Sequence, residues 1–248
     1  MSISVVIPAY NEETNVRDTI LGVKNAIALA GIKDYEIVVV DDHSEDKTFD
    51  TVKMLGEKNI NCIRLSRRNG SHTALRAGLG NSRGNAVLCI SADGQDDPSC
   101  FSEMIKKWRN GAHIVWALRK KRISEPWHIR KPAQLFHKLL MRLVGTGGTD
   151  IDISRAAFFL MDETIVKAIN DCPERNTSIF GLIAWIGFNQ DFVEYEQRSR
   201  KFGKSKWSFV KRLHLASDWI IGFSGLPLTS IFVGGLLVTI FGFLYAVY

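Results

Sequence analysis

The first 120 residues alternate between short apolar segments and segments in which apolar side chains have helical spacing. Side chains such as Val16, Ile20, Val23 and Ile27 recur every three or four residues, which predicts an amphipathic helix. Similar patterns predict helices near residues 52–55, 73–79 and 101–108. The apolar segments, bounded by turn-forming residues and typical of buried strands, cover residues 4–8, 36–40, 62–65, 86–91 and 113–118. This order predicts an α/β fold, a mainly parallel sheet flanked by helices.

The C-terminal 23 residues, 226–248, form an apolar segment without a charged side chain. About 20 such residues suffice to cross a bilayer, so the segment predicts a transmembrane helix, within a membrane region that we expect to continue past residue 248. Before it, residues 198–212 contain seven Lys and Arg and no Asp or Glu. Such a flank is typical of the cytoplasmic side, and apolar spacing from Trp207 to Trp219 predicts an interfacial amphipathic helix.

Three segments are therefore expected along the chain. Residues 1–200 are predicted to form a cytoplasmic domain, residues 201–222 a basic amphipathic juxtamembrane segment, and residues 223–248 the transmembrane helix. The sequence begins directly with a strand pattern, which predicts no signal peptide. The expected location is the cell (inner or plasma) membrane, with the N-terminal domain in the cytoplasm.

Composition narrows the class of protein. With 46% hydrophobic and 23% charged residues, the chain is close to globular averages, which excludes disorder, collagen-like repeats and coiled coil. The four cysteines lack CxxC spacing, so neither a disulfide framework nor a zinc site is indicated. A net charge of +6 suggests an anionic partner. Because the cations cluster beside the apolar segment and no nucleic-acid-binding motif is present, nucleic acid is disfavoured.

Acidic and amide residues follow three of the predicted strands. Carboxyl ends of parallel strands share one edge of a sheet, where ligands bind. Helix capping by Asn11, Ser44 and Asp97 accounts for one polar residue in each loop. The surplus carboxylates are expected to repel one another unless a cation or a donor-rich ligand lies between them. A hard divalent ion shared with substrate phosphates fits, whereas no P-loop or dinucleotide-binding glycine motif follows any strand.

Several motifs occur in an order that resembles the family 2 glycosyltransferases of GT-A fold. These motifs are VVIPAYNEE, EIVVVDDHSEDKT, RNGSHTALRAGLGNSRG, ADGQDDP, FFLMD and RKFGKSKWS. The last, placed before an apolar segment, is similar to polyprenyl-phosphate glycosyltransferases such as dolichyl-phosphate mannose synthase and undecaprenyl-phosphate glucosyltransferases. The resemblance implies a GT-A, Rossmann-like domain that transfers a sugar, with inversion, from a UDP- or GDP-linked donor to a membrane polyprenyl phosphate.

The resemblance also implies roles for individual residues. Asp93, Arg119 and Arg130 are the implied catalytic residues, and Mg²⁺ or Mn²⁺ is expected on Asp93 and Gln95. The implied nucleotide-sugar-binding residues are Pro8, Tyr10, Glu12, Asp41, Asp42, Ser91 and Asp93. The implied acceptor-phosphate-binding residues are Arg119, Arg130, Lys131, Arg200, Ser205 and Lys206.

One departure from the family pattern keeps other functions open. The family's DxD motif usually reads Asp-Ala-Asp, and here it reads Ser91-Ala92-Asp93. A hydroxyl contributes no charge to a metal site, so a noncatalytic membrane-tethered nucleotide-sugar-binding or assembly subunit is an alternative. A nucleotidyltransferase is a second alternative, although its glycine-rich basic loop is absent from the sequence. Gly234, Gly235 and Gly242 would permit close helix packing in a homo-oligomer.

Overall fold

Seven strands and seven α-helices make up the computed structural model of the protein, which describes residues 1–120, 151–152, 155–173, 178–197 and 225–248. The strands are β1 (Ser2–Ala9), β2 (Asp34–Asp41), β3 (Ile60–Arg64), β4 (Ala86–Cys89), β5 (Ile114–Arg119), β6 (Ala156–Asp162) and β7 (Gln190–Tyr195). The helices are α1 (Val16–Leu29), α2 (Thr48–Lys53), α3 (Ser71–Gly80), α4 (Phe101–Arg109), α5 (Glu163–Asp171), α6 (Ile179–Ile186) and α7 (Leu226–Val247), with a 3₁₀ turn at Pro98–Cys100.

The strands form one mixed sheet in the order β3-β2-β1-β4-β6-β5-β7. Four of the six strand pairs are parallel, and β6 is antiparallel to both of its neighbours, β4 and β5. The predicted α/β fold with a mainly parallel sheet is therefore confirmed. Because only β6 is reversed, the carboxyl ends of β1, β2, β4, β5 and β7 all lie at one edge.

Helices cover the sheet through apolar side chains with helical spacing. The buried residues of α1 include Val16, Ile20, Val23 and Ile27, which belong to a core shared with β1, β2 and α4. On α3, Gly78 allows unusually close packing: a Cβ at this position would lie 2.2 Å from Val6 Cγ1 of β1. The absence of a side chain at Gly78 thus sets how closely α3 approaches the sheet.

The chain divides into two compact units. The first contains the sheet with most of its helices, and the second contains α7 and most of α6. Among the described residues, α7 is the helix long and apolar enough to cross a membrane, and none of Leu228–Val247 is buried within the protein. The predicted transmembrane segment is thus present as a candidate spanning helix. The predicted amphipathic segment, residues 201–222, lies outside the described residues.

Candidate active site

The loops that follow β1 and β2 are joined by hydrogen bonds between the side chains of one loop and the backbone of the other. Asn11 has a left-handed backbone (φ 51°) and takes part in two of these bonds. The bonds run from Asn11 N–H to Ser44 Oγ (2.9 Å), Glu12 N–H to Thr48 Oγ1 (2.8 Å), Glu13 N–H to Asp46 Oδ2 (3.1 Å), Glu45 N–H to Asn11 Oδ1 (2.9 Å) and Lys47 N–H to Glu13 Oε2 (3.0 Å). The two loops therefore form one rigid surface at the carboxyl edge of the sheet.

This arrangement corrects the expected helix caps. Asp97 does cap the 3₁₀ turn, since its carboxylate accepts from Ser99 N–H. In contrast, α1 begins after Asn15 and α2 after Lys47, so Asn11 and Ser44 cap neither helix. Their polar atoms instead bind the neighbouring loop, because the left-handed turn at Asn11 directs its backbone N–H to Ser44.

Both acids at the end of β2 have binding partners within the protein. The Asp41 carboxylate is fully buried, accepts from Ser44 N–H and pairs with the Arg64 guanidinium at 3.3 Å. Asp42 is 4% exposed, and its two oxygens accept from Asn69 N–H (2.7 Å) and Gly70 N–H (2.8 Å). Arg64 is thus the cation beside Asp41, and Asp42 is bound by backbone N–H groups.

Replacing Asp42 with alanine should destabilise the fold. Two backbone N–H groups that precede α3 would lose a charged acceptor, and a hydrogen bond to a charged group contributes about 1.5–3 kcal/mol. We expect a clearly lower thermal midpoint for Asp42→Ala, measured by circular dichroism in detergent. Asp34→Ala is the matched control, since Asp34 is exposed at the opposite edge of the sheet. Equal midpoints for the two variants would contradict this role of Asp42.

The loop after β4 borders a cleft of about 80 Å³. One side of this cleft is formed by α1 and the residue before it, including Asn15, Asp18 and Thr19, and the other by Asp93, Gly94 and Asp96. Thr19 Oγ1 donates to the backbone oxygen of Ala92 at 3.1 Å, which ties the loop to α1. The cleft, lined by both polar and apolar residues, is at the edge where ligands of such sheets bind.

Asp93 and Gln95 form the turn at which a metal is expected. Gly94 has a positive φ of 69°, and Asp93 Oδ1 accepts from Gln95 N–H at 3.1 Å. Both side chains are half-buried, as is Ser91, two residues after the end of β4. Within the described ranges, no three His, Cys, Asp or Glu side chains are close enough to form a metal cage. One or two protein oxygens are enough to hold Mg²⁺ or Mn²⁺ when substrate phosphates complete the coordination. The small number of acidic residues at this turn therefore fits such an ion.

A buried hydrogen bond joins this loop to the end of β7. Tyr195 Oη donates to Asp96 Oδ1 at 2.6 Å, and the two residues are 4% and 6% exposed. Burial raises the pKa of the Asp96 carboxyl, and the hydrogen bond from Tyr195 and the charge of Arg119 offset part of that rise. Burial, followed by the charge of Asp96, also raises the pKa of Tyr195. Sequence reasoning missed this pair, because β7 was not predicted.

The structure brings together the predicted site residues of its described part at one edge of the sheet. Tyr10 lies beneath the Arg68 guanidinium, 4.0 Å from its ring centroid, and Glu12 is buried where its carboxylate accepts from Asn15 Nδ2. Pro8 is a half-buried residue of β1, and Arg119 is exposed at the end of β5. The remaining predicted residues, Arg130, Lys131, Arg200, Ser205 and Lys206, lie outside the described residues.

Comparison with known proteins identifies the family. The sequence model described as "Glycosyl transferase family 2" matches residues 4–165. A Synechocystis protein named "uncharacterized glycosyltransferase" is 37% identical over 99% of this chain and 77% of its own length. The "bactoprenol glucosyl transferase" of Shigella phage SfX is 34% identical over 99% of this chain and 79% of its own length. The chain therefore belongs to glycosyltransferase family 2.

A solved structure agrees with the fold. The mannosyltransferase of Pyrobaculum calidifontis, in complex with GDP-Man and Mn²⁺, superposes with a TM-score of 0.63. It is 15% identical in sequence, and the match covers 89% of this chain and 63% of that one. The domain that carries the sheet thus has the GT-A architecture expected from the sequence motifs, and the protein is a glycosyltransferase.

Proposed function

We propose that the protein transfers a sugar from a nucleoside-diphosphate sugar to a polyprenyl phosphate held in the membrane. The observation that carries this proposal is that one chain combines a family 2 transferase domain with an unburied apolar helix, Leu228–Val247. A polyprenyl chain stays in the bilayer because exposing its apolar surface costs about 25 cal/mol per Å². An enzyme acting on such a lipid must therefore work at the membrane. The name of the phage relative supports the same acceptor class.

On the donor side, the rigid loops after β1 and β2 would hold the nucleoside, and the turn at Asp93 and Gln95 would hold a divalent metal. Bound Mg²⁺ or Mn²⁺ would stabilise the negative charge that develops on the departing diphosphate. The mutual hydrogen bonds of the two loops keep their backbone in place before the donor arrives. This preorganisation reduces the ordering that donor binding requires.

On the acceptor side, an oxygen of the lipid phosphate attacks the anomeric carbon of the sugar as the bond from this carbon to the diphosphate breaks. A phosphate monoester has a second pKa near about 6, so the nucleophile is largely ionised at neutral pH and needs no strong general base. Positioning is then the main task of the protein. Arg119, exposed at the carboxyl edge, suits that task because guanidinium binds phosphate oxygens bidentately. Direct displacement in this way inverts the configuration at the anomeric carbon.

A noncatalytic nucleotide-sugar-binding subunit is the second candidate function. It is favoured by one observation, Ser91 in place of the first aspartate of the DxD motif, which reduces the charge available to a metal. In the proposed enzyme, the donor diphosphate would supply most of the metal ligands, and this would make up for the missing carboxylate at Ser91. The two functions differ in whether a glycolipid is formed.

A donor panel tests the proposal. The full chain in detergent is incubated with radiolabelled UDP- and GDP-sugars, polyprenyl phosphate and Mn²⁺ or Mg²⁺. We expect labelled lipid from one class of donor, no label with unphosphorylated polyprenol, and loss of the product on chelation with EDTA. Donor binding without labelled lipid would favour the binding subunit. Release of sugar 1-phosphate, as the nucleotidyl group moves to an acceptor, would indicate a nucleotidyltransferase.

A further inference from the structure

Three side chains from separate elements meet at the carboxyl edge beyond the proposed metal turn. Tyr195 ends β7, Arg119 ends β5 as the register partner of Tyr195, and Asp96 follows β4. The Tyr195 hydroxyl donates to the Asp96 carboxylate at 2.6 Å. Arg119 is next to Tyr195 on the adjacent strand, and its positive charge offsets part of the rise in the pKa of both Tyr195 and Asp96. These contacts form a continuous polar connection across the sheet edge.

Both ends of this connection are fixed by further contacts. The loop that carries Asp96 is bound to α1 by the hydrogen bond from Thr19 to Ala92. The backbone oxygen of Arg119 accepts from Arg155 Nε at 2.8 Å, and Arg155 also pairs with Glu194 of β7. The Tyr195 ring packs on Phe158 with centroids 5.1 Å apart. The backbone on both sides of the Asp96–Tyr195 hydrogen bond is therefore held by further contacts.

Folding alone does not explain a carboxylate at this position. Burying a charged group costs free energy unless it is paired, and a well-packed apolar pair is often at least as stable as a buried polar one. Asp96 nevertheless lines the cleft, three residues after Asp93 and next to Gln95. A polar pair at this place fixes the direction of both partners, which an apolar contact would not do.

We propose that the Asp96–Tyr195 hydrogen bond is a positioning link. It holds the metal turn of the donor site at a fixed position relative to the Arg119 guanidinium of the acceptor site. The assignment rests on the proposed function, in which Asp93 and Gln95 hold the metal and Arg119 binds the lipid phosphate. Asp96 and Tyr195 act through these residues. Binding of the metal and binding of the lipid phosphate then both depend on a hydrogen bond that touches neither substrate.

Tyr195→Phe is the direct test, because it removes the hydroxyl and keeps the ring on Phe158. We expect the Mn²⁺ concentration for half-maximal activity and the KM for polyprenyl phosphate to rise about tenfold each, as expected for a lost hydrogen bond to a charged group. The kcat at saturation of both should change little, since the link sets binding geometry. Tyr35→Phe, the same deletion on β2, is the matched control and should leave all three values unchanged.

A double-mutant cycle separates positioning from a general loss of stability. In an Arg119→Ala background, Tyr195→Phe should raise the KM for polyprenyl phosphate no further, because the residue it positions is already absent. Its effect on the Mn²⁺ requirement should persist. Asp96→Asn keeps a carbonyl oxygen for Tyr195 and should recover most of the Mn²⁺ affinity that Asp96→Ala loses.

Additive effects of Tyr195→Phe and Arg119→Ala on the KM for polyprenyl phosphate would overturn the link, as would unchanged kinetics of Tyr195→Phe. A fall in kcat that matches the loss of folded protein, with both half-saturation values unchanged, would also overturn it. Failure of the proposed function is a different result: the wild-type chain then forms no labelled lipid. In that case, calorimetric titration of the protein with donor and Mn²⁺, without lipid, still measures whether Tyr195→Phe binds them more weakly than wild type does.

Discussion

Asp93→Ala is expected to lower the turnover number for sugar transfer by about a thousandfold. Charge stabilisation by a bound metal is worth several kcal/mol, and each loss of about 1.4 kcal/mol lowers a rate tenfold. Asp93 is half-buried on a loop beside the cleft rather than in the core, so the fold should survive its truncation. The measurement is initial rate against donor and Mn²⁺ concentration, with the thermal midpoint recorded for the same preparation.

Two further variants serve as controls for Asp93→Ala. Asp34→Ala deletes the same side chain from the opposite edge of the sheet and should retain full turnover. Asp93→Asn keeps an oxygen without the charge and should fall between wild type and Asp93→Ala, with a raised Mn²⁺ requirement. Unchanged turnover in Asp93→Ala would remove this residue from the metal site.

Gly84→Ala is expected to cause a large loss of stability. A Cβ at Gly84 would lie 2.4 Å from Ser4 N and 2.8 Å from Ile3 C, both backbone atoms of β1, which has a neighbouring strand on each side. Backbone atoms there cannot move without breaking the pairing of β1 with β2 and β4. Overpacking of this kind costs on the order of 3 kcal/mol or more. It would also displace Gly84 N–H from Ser4 Oγ, which it now binds at 2.8 Å.

Gly80→Ala is the control for that experiment. It adds the same methyl group at the end of α3, where a Cβ meets nothing within 4 Å, and alanine favours helix over glycine by about 0.5–1 kcal/mol. We expect Gly80→Ala to melt at or slightly above the wild-type temperature, and Gly84→Ala to melt far below it or to accumulate little folded protein. Similar melting temperatures would mean that β1 and the turn before β4 separate easily.

The strands and helices up to residue 119 follow from the sequence because each carries its own local pattern. β1, β2, β3, β4 and β5 coincide with the predicted apolar segments to within a few residues. β6 and β7 were not predicted. In β6, the motif FFLMD gave a family resemblance without indicating strand direction, and β7 exposes Phe192 while burying Val193 and Tyr195. Both segments form strands because they pair with β5, and a local sequence pattern does not indicate such long-range pairing.

For the site, the sequence indicates which loops carry the chemistry but not how each side chain is used. Asp41 and Asp42 look equivalent as neighbouring acids, yet one pairs with Arg64 and the other binds two backbone N–H groups. Both partners come from residues more than 20 positions away in sequence. Asp96 likewise acquires its partner, Tyr195, across 99 positions. Their roles in nucleotide-sugar binding stay predictions.

The mutual bonding of the loops after β1 and β2 constrains how this enzyme can diversify. Changing the Asn11 side chain would remove the acceptor of Glu45 N–H at a position whose left-handed backbone disfavours most other residues, so a viable new loop needs compensating substitutions on both sides. Exposed side chains that project from these loops, such as that of Glu45, take no part in the bonds between the loops and are free of that restriction. A switch in donor preference is therefore more accessible by exchanging such projecting groups than by remodelling the interlocked backbone beneath them.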